Sequence, residues 1–203
     1  MYVIITECAV DLVPISWLND KKIANYVKLK KRKPIRDASF HQHLLKDMDK
    51  DLRYDRPDIL HFGLLTALGY HYKIKNMKVQ FSTIFGNYEI NNETRLPRSQ
   101  IRFYGILETL FQNMYSGNLI NKIQNNTMLE STEPKIVFTK IGTPITKIDL
   151  NSYNIFIFGG FSSGSFRKEH KNSIKVSLSE EPLELWTAIS SFFHYYLLNS
   201  SFH

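Results

Sequence analysis

The chain carries a single cysteine, Cys8, in 203 residues. One thiol excludes an internal disulfide framework and any zinc site built from several cysteines. A reducing compartment is therefore expected. No apolar run reaches the roughly 20 residues that a membrane span needs. The most apolar stretch, AISSFFHYYLL over 188–198, is too short and holds Ser and His. The opening MYVIITECAVDLV has no basic leader and places Glu7 and Asp11 inside its apolar part. It reads as a buried first strand rather than a secretory signal, so a cytoplasmic protein without membrane attachment is expected. No HExxH zinc helix occurs, and neither a metal site nor a hydrolase nucleophile is expected. GGFSSGSF, residues 159–166, matches neither GxGxxG nor the Walker A pattern, which removes the usual dinucleotide and nucleoside-triphosphate readings. Internal repeats and low-complexity tracts are absent.

Acids are also short: 19 Asp and Glu stand against 26 Lys and Arg, a net charge of +7. Aromatic residues reach 13%, and a basic, aromatic-rich composition suits a protein that meets nucleic acid or another polyanion. The 43% apolar content suffices for a core and excludes wholesale disorder. The length fits one domain. KKIANYVKLKKRKPIR, residues 21–36, has eight Lys and Arg and no acid. It is either a solvated basic segment or an arm that contacts phosphates.

Periodicity outlines the elements. YVIIT (2–6) reads as a strand. DASFHQHLLKDMDKDL (37–52) offers Asp37 or Ser39 as a cap and a stripe of Phe40, Leu44, Leu45 and Met48. RPDILHFGLLTALG (56–69) reads as a helix with Pro57 and Asp58 in its first turn and Gly69 as its stop. Val79, Phe81, Thr83 and Phe85 alternate as in a strand. A helix is expected from Pro97–Arg98 towards Gly117, with Ile101, Leu107, Leu110, Phe111 and Met114 on its apolar side. KIVFTKIG (135–142), YNIFIFGGF (153–161) and SIKVSLSEEP (173–182) read as three strands running into loops. A last helix spans 182–198, and 121–134 reads as a mobile loop. Strand–loop–helix alternation predicts an α/β fold with a mainly parallel sheet.

Several groups could carry chemistry. Arg98 and Arg102, four apart, would share a face near the start of a helix, and Arg95 in the same ETRLPRSQIRF stretch and Arg56 in RPDI complete the set. They form either an anion-binding surface or an ordinary charged face. Asp58, two residues from Arg56, either orients that guanidinium or simply complements a helix start. The loops IGTP (141–144), GGFSSGSF and SLSEEPL (177–183) could line a nucleotide-like pocket at the carboxyl edge of the sheet, or be plain turns. His41, His43 and His61 carry little functional signal, His61 reading as a satisfied, partly buried residue.

RPDILHFGLLTAL, followed by ETRLPRSQIRF, KIGTP, IFGGFSSGSF and VSLSEEPLELW, resembles the pseudouridine-N1-methyltransferases of small-subunit ribosomal RNA. These are the ribosome-biogenesis factors called nucleolar essential protein or essential for mitotic growth, of the SPOUT class, and the short length resembles the archaeal type. The resemblance implies an α/β SPOUT domain over 1–203, with RNA-binding elements within 20–117 and a trefoil-knotted cofactor part at about 135–203. It implies S-adenosylmethionine as methyl donor, held by Ile141, Gly142, Gly159, Gly164, Ser165, Phe166, Leu178, Ser179, Glu180, Glu181, Pro182 and Leu183. It places RNA contacts on Arg56, Arg95, Arg98 and Arg102, with Asp58 propping Arg56 so that the two serve the reaction. The implied partners are a pseudouridine-containing rRNA hairpin and a second copy of the chain, with small-subunit ribosomal proteins as a further class. Two departures stand out. The family often reads RGRPDI where this chain has Tyr54 and Asp55, which would trim phosphate affinity there, and KEHKN (168–172) is short. A non-catalytic assembly factor on the same fold, or a SPOUT enzyme acting on pseudouridine in tRNA, stays open at this level.

Overall fold

Residues 1–45, 53, 55–124 and 127–200 are described by the computed structural model. Seven strands, β1 (Tyr2–Thr6), β2 (Lys78–Thr83), β3 (Gly86–Ile90), β4 (Ile120–Ile123), β5 (Lys135–Pro144), β6 (Ile155–Gly159) and β7 (Ser173–Ser177), join in the order β4-β3-β2-β1-β6-β5-β7. The pairs β1–β2, β1–β6, β5–β6 and β5–β7 are parallel, and β2–β3 and β3–β4 are antiparallel. The mainly parallel α/β sheet expected from the sequence is present. Its central strands read as unbroken apolar runs, VII in β1 and IFIF in β6, because both of their faces are covered.

The helices are α1 (Lys21–Lys30), α2 (Ala38–Leu45), α3 (Pro57–Gly69), α4 (Gln100–Phe111), α5 (Thr127–Glu130) and α6 (Leu185–Ser200). Val3, Ile5, Phe156 and Phe158 face one side of the sheet, where Leu60 and Leu64 of α3, Phe103 and Leu107 of α4 and Phe192 of α6 complete the main core. Ile4, Val137, Ile155 and Ile157 face the other, under Met128, Leu129 and Phe166. A third cluster, Val13, Trp17 and Ile23 with Val27, Leu44 and Leu45, moors α1 and α2 to the turn at Ile15–Asn19. Among the described residues no helix is long and apolar enough to cross a membrane.

Local chemistry explains most boundaries and several departures. The basic segment at 21–36 is helical for its first ten residues because Asp20 caps it, its Oδ1 accepting from the Lys22 and Ile23 amides at 2.9 and 3.2 Å. Asp37 does cap α2, accepting from the Ser39 amide at 2.7 Å, but Phe40 is 62% exposed and lies off the apolar stripe; Met48 falls outside the described residues. Gly69 ends α3 without a left-handed turn, and the chain passes through Tyr70 into a 3-10 turn at His71–Lys73. α4 starts after Ser99 rather than at Pro97, leaving Ile101 and Met114 exposed while Leu107, Leu110 and Phe111 bury. Phe85 lies in the turn beyond β2. The expected loop at 121–134 contains the rest of β4 and all of α5, with residues 125–126 outside the described set. IGTP belongs to β5: Phe138 and Thr143 both lie opposite Val176, so Thr139–Gly142 form an excursion within a strand rather than a loop after it. α6 begins at Leu185, three residues past Pro182.

Candidate functional site

Parallel strands deliver their carboxyl ends to one edge, and the residues expected to hold a cofactor lie there on β5, β6 and β7. The β5 excursion carries Ile141, 83% exposed, and Gly142. A Cβ at Gly142 would stand 2.6 Å from the Lys175 carbonyl oxygen, so the close approach to β7 requires glycine. Lys140 Nζ lies 3.7 Å from Glu181 Oε2, bringing the excursion beside the loop from Leu178 to Leu183. Both groups are open to water, so the pair aligns the two segments more than it stabilises them. The Ser177 hydroxyl donates to the Ser179 carbonyl at 2.7 Å, and the Glu181 amide to the Ser179 hydroxyl at 3.2 Å. Glu180, Glu181, Pro182 and Leu183 are exposed, whereas Leu178 packs on the main core.

The third loop leaves β6 at Gly159, where a Cβ would lie 2.6 Å from the Phe161 ring. Gly164 takes a φ of +85°, a conformation costly for other residues. Sequence reasoning missed the pair that holds this loop. Arg53 Nε donates to the Ser163 carbonyl at 3.1 Å, its Nη2 donates to the Ser165 carbonyl, and its guanidinium lies 4.1 Å from the Phe161 centroid. Its Nη1 reaches Glu7 Oε2 at 3.4 Å, and Glu7 Oε1 accepts from the Arg167 and Lys168 amides at 2.9 and 3.0 Å. Glu7 directly follows β1, so the clasp ties this loop to the central strand. Gly164 and Ser165 stay exposed, but Phe166 turns onto the second face of the sheet among Ile4, Val137, Ile155 and Ile157. GFSSG at 160–164 does spell GxSxG, yet it leads into an irregular loop rather than a helix, so the strand–turn–helix context of a nucleophile elbow is missing.

Arg56 sits immediately before α3. Its Nε and Nη2 donate to the two oxygens of Asp58 at 2.9 Å each, a bidentate fork that fixes the guanidinium plane. The Arg56 side chain is 40% exposed and Asp58 19%, so the cation faces outward over its carboxylate. The bonds to Asp58, with the charges of Glu184 and Asp37, push its pKa further above the ordinary value. Glu184 directly follows the Leu178–Leu183 loop, so that loop's charge reaches the Arg56 guanidinium. Asp37 in turn accepts from the Tyr104 phenol at 3.0 Å, and Gln100 Nε2 donates to the same phenol at 2.8 Å. Burial and the Asp37 charge drive the Tyr104 pKa far upward, so it remains a neutral donor.

Arg95, Arg98 and Arg102 are all exposed, and none has an ion-pair partner among the described residues. Arg102 is in the first turn of α4, but Arg98 precedes Ser99, so the two do not share a helical face. What anchors the Arg95–Arg98 segment is His61. It is buried, stacks on Phe103 at 4.6 Å, and its Nε2–H donates to the Pro97 carbonyl at 2.7 Å. Asp55 does not weaken this surface: it is buried and ion-paired with Arg36, and burial raises its pKa. Tyr54 lies outside the described residues. Among the described residues no cluster of three or more His, Cys, Asp or Glu could hold a metal, and Cys8 is buried with its thiol pKa pushed up by desolvation.

The histidines predict a pH response. Burial lowers the pKa of His41, His61 and His170 below the usual 6.5. A depressed folded-state value means the unfolded chain binds more protons below that pH, so stability is present above 6.5 and lost as pH falls. The thermal midpoint should hold between pH 7 and 8 and drop steadily from pH 6.5 to 5; a flat profile there would contradict the burial of these rings.

A family model described as EMG1/NEP1 methyltransferase matches residues 3–197. The chain is 32% identical to the Pyrococcus furiosus protein "Ribosomal RNA small subunit methyltransferase Nep1", over 94% of this chain and 93% of that one. It is also 32% identical to the protein of the same name from Thermococcus kodakarensis, over 94% of each. Its fold superimposes on that of Archaeoglobus fulgidus Nep1 bound to S-adenosylhomocysteine with a TM-score of 0.80, at 22% identity, covering 95% of this chain and 94% of the other. With the family model running through residues 3–197 and relatives 32% identical over 94% of the chain, the chain belongs to the EMG1/NEP1 methyltransferase family.

Proposed function

We propose that this protein transfers a methyl group from S-adenosylmethionine to N1 of a pseudouridine in a hairpin of small-subunit ribosomal RNA, as a homodimer acting in the cytoplasm during ribosome assembly. The observation that carries the reading is the Arg56–Asp58 fork, an outward-facing guanidinium fixed by two 2.9 Å bonds immediately before α3. The residues present fit the cofactor. Ile141 and Leu183 leave apolar side chains open to solvent at the sheet edge, suited to the faces of an adenine. Gly142, Gly159 and Gly164 keep that edge free of side-chain bulk, and Ile141, Gly142, Gly159, Gly164, Ser165 and the stretch from Leu178 to Leu183 would hold the molecule. Phe166 would act from behind, fixing its loop on the sheet. Bound there, S-adenosylmethionine supplies a sulfonium-activated methyl group, which needs no metal.

The chain's own contribution is positioning and charge. Pseudouridine is joined to its sugar through carbon, so N1 carries a proton that must leave as the N1–methyl bond forms. As that proton passes to water, negative charge develops on N1 and the carbonyls conjugated to it. It is discharged as the methyl group leaves sulfur and bonds to N1, so the methylated ring is neutral. Arg56, held at one angle by Asp58, stabilises that charge without reorganising. Arg95, Arg98 and Arg102 grip the phosphates around the target, which must be extruded to reach the methyl group. No side chain is assigned as general base.

The whole chain, 1–203, acts as one unit in this reading, with RNA contacts within 20–117 and the cofactor part at about 135–203. The reading includes a trefoil knot in the latter. The β5–β6 connection runs on the same face of the sheet as α6, and Thr146–Asn151 flank a cleft of about 380 Å³ whose other wall is Tyr195, Tyr196 and Asn199 of that helix.

The test uses purified protein, methyl-labelled S-adenosylmethionine and two otherwise identical rRNA hairpins, one with pseudouridine at the loop position and one with uridine. Label entering only the pseudouridine hairpin is the expected result. Tight binding of both RNAs without transfer would replace the enzyme with an assembly factor, and label entering a pseudouridine-bearing tRNA stem-loop instead would move the target.

A further inference from the structure

The basic segment after Asp20 is absorbed only in part by the core. Ile23 and Val27 moor α1, but Lys28, Lys30 and Lys31 are exposed, with no ion-pair partner among the described residues. Arg32 and Lys33 follow at once, and of these five consecutive or near-consecutive cations only Arg32 pairs with a carboxylate among the described residues, that of Glu108. Lys31 also takes a φ of +57°, a left-handed conformation that a glycine would adopt at lower cost. Crowded like charges destabilise a fold unless a polyanion neutralises them.

Where the segment is held gives it meaning. Glu108 of α4 is buried and accepts from Arg32 Nε at 2.8 Å, the Tyr26 hydroxyl at 2.7 Å and the Ile35 amide at 3.2 Å. Gln112 adds two bonds, its Oε1 accepting from the Lys33 amide at 2.9 Å and its Nε2 donating to the Lys33 carbonyl at 3.0 Å. An added Cβ at Gly105 would lie 3.3 Å from Arg32 Nη2, so the guanidinium runs back along α4 towards Arg102. At 1.5 Å per residue, Glu108 and Gln112 lie about 9 and 15 Å along the helix from Arg102. That spacing corresponds to roughly three to four phosphates of one strand.

We infer that Lys28, Lys30, Lys31, Arg32 and Lys33, pinned to α4 by Glu108 and Gln112, continue the phosphate-binding track of Arg98 and Arg102 onto the stem flanking the target loop. The inference rests on the RNA-binding reading above and adds a second contact region that reads backbone charge, not base identity.

The test measures hairpin affinity across a salt series for the wild type, for K28Q/K30Q/K31Q and for K73Q/K75Q/K147Q, which removes the same charge at exposed sites away from α1. Each phosphate contact contributes about 0.7–0.9 to the slope of log K against log salt. The α1 variant should therefore lose about 2–3 from the slope and bind a long-stemmed hairpin about 10- to 100-fold more weakly at low salt. Its deficit should shrink when the stem is shortened, and the control should keep most of the wild-type slope. A slope unchanged in the α1 variant, as a protein partner for this surface would give, or an equal loss in the control, overturns the inference. Wild-type protein that does not bind the hairpin overturns it together with the RNA-binding reading.

Discussion

An Arg56→Ala variant is expected to methylate the pseudouridine hairpin about a hundredfold more slowly than wild type, with most of the loss in kcat. Removing one preorganised donor to developing charge costs about 2.7–4 kcal/mol in comparable sites, and the lower end applies because Arg56 is partly exposed. Asp58 never needs to touch the RNA to matter. Asp58→Ala releases the guanidinium from its fork, and a rate loss approaching that of Arg56→Ala, with hairpin affinity changed far less, is the signature of a positioning residue. Asp58 also complements the start of α3, so its removal lowers stability by about 0.3–1 kcal/mol; the thermal midpoint separates that effect from the kinetic one. Arg56→Lys keeps the charge and loses the planar fork, and should not restore the rate. If Arg56→Ala and Asp58→Ala bind and methylate like wild type, the fork has no part in the reaction.

Glu108→Ala should be the most damaging single change to stability outside the apolar core. The carboxylate is buried and receives three donors from two parts of the basic segment. Burial and the Glu108 charge push the Tyr26 phenol up to about 12, so it stays a donor at neutral pH. Truncation strands Arg32, the Tyr26 hydroxyl and the Ile35 amide, and breaking a buried pair in this way costs about 3–5 kcal/mol. For a chain of this size the thermal midpoint should fall by about 6–20 °C. Arg32→Ala/Glu108→Ala should be less destabilised than Glu108→Ala, because the stranded charge goes with its partner. A midpoint within 2 °C of wild type for Glu108→Ala would mean that the acid is dispensable as an anchor.

Much of this architecture can be read from the chain, and the parts that cannot share a cause. Apolar runs in β1, β5 and β6, and the Pro57–Asp58 start of α3, are local signals and were placed within a residue or two. Arg56 and Asp58 are two apart, so their contact is also local. The failures are long-range. Nothing near Arg53, which sits in an acidic stretch, says that it reaches the loop at 163–165, and nothing near His61 says that it bonds Pro97. Arg98 and Arg102 have helical spacing, but Ser99 is still extended and makes no side-chain capping bond, so the helix boundary falls between them with no local signal to mark it. The IGTP stretch looks like a turn, and only the register with β7 makes it an excursion within a strand. Phe166 sits in a loop of small residues that suggests a ligand contact, yet its ring is drawn into the core beneath.

The strand at the centre of the sheet, β1, leaves the ribosome before either strand that pairs with it. Val3 lies opposite Val79 on one side and Phe156 on the other. At about 5–20 residues per second, the stretch from Phe81 to Ile155 takes of order 4–15 s to emerge. For that time β1 has one edge unpaired and its VII run incompletely covered, a template for wrong pairing. Pairings so distant in sequence also slow folding itself. Holdase chaperones should therefore be found on nascent chains from which β6 has yet to emerge, and be released from those in which it has.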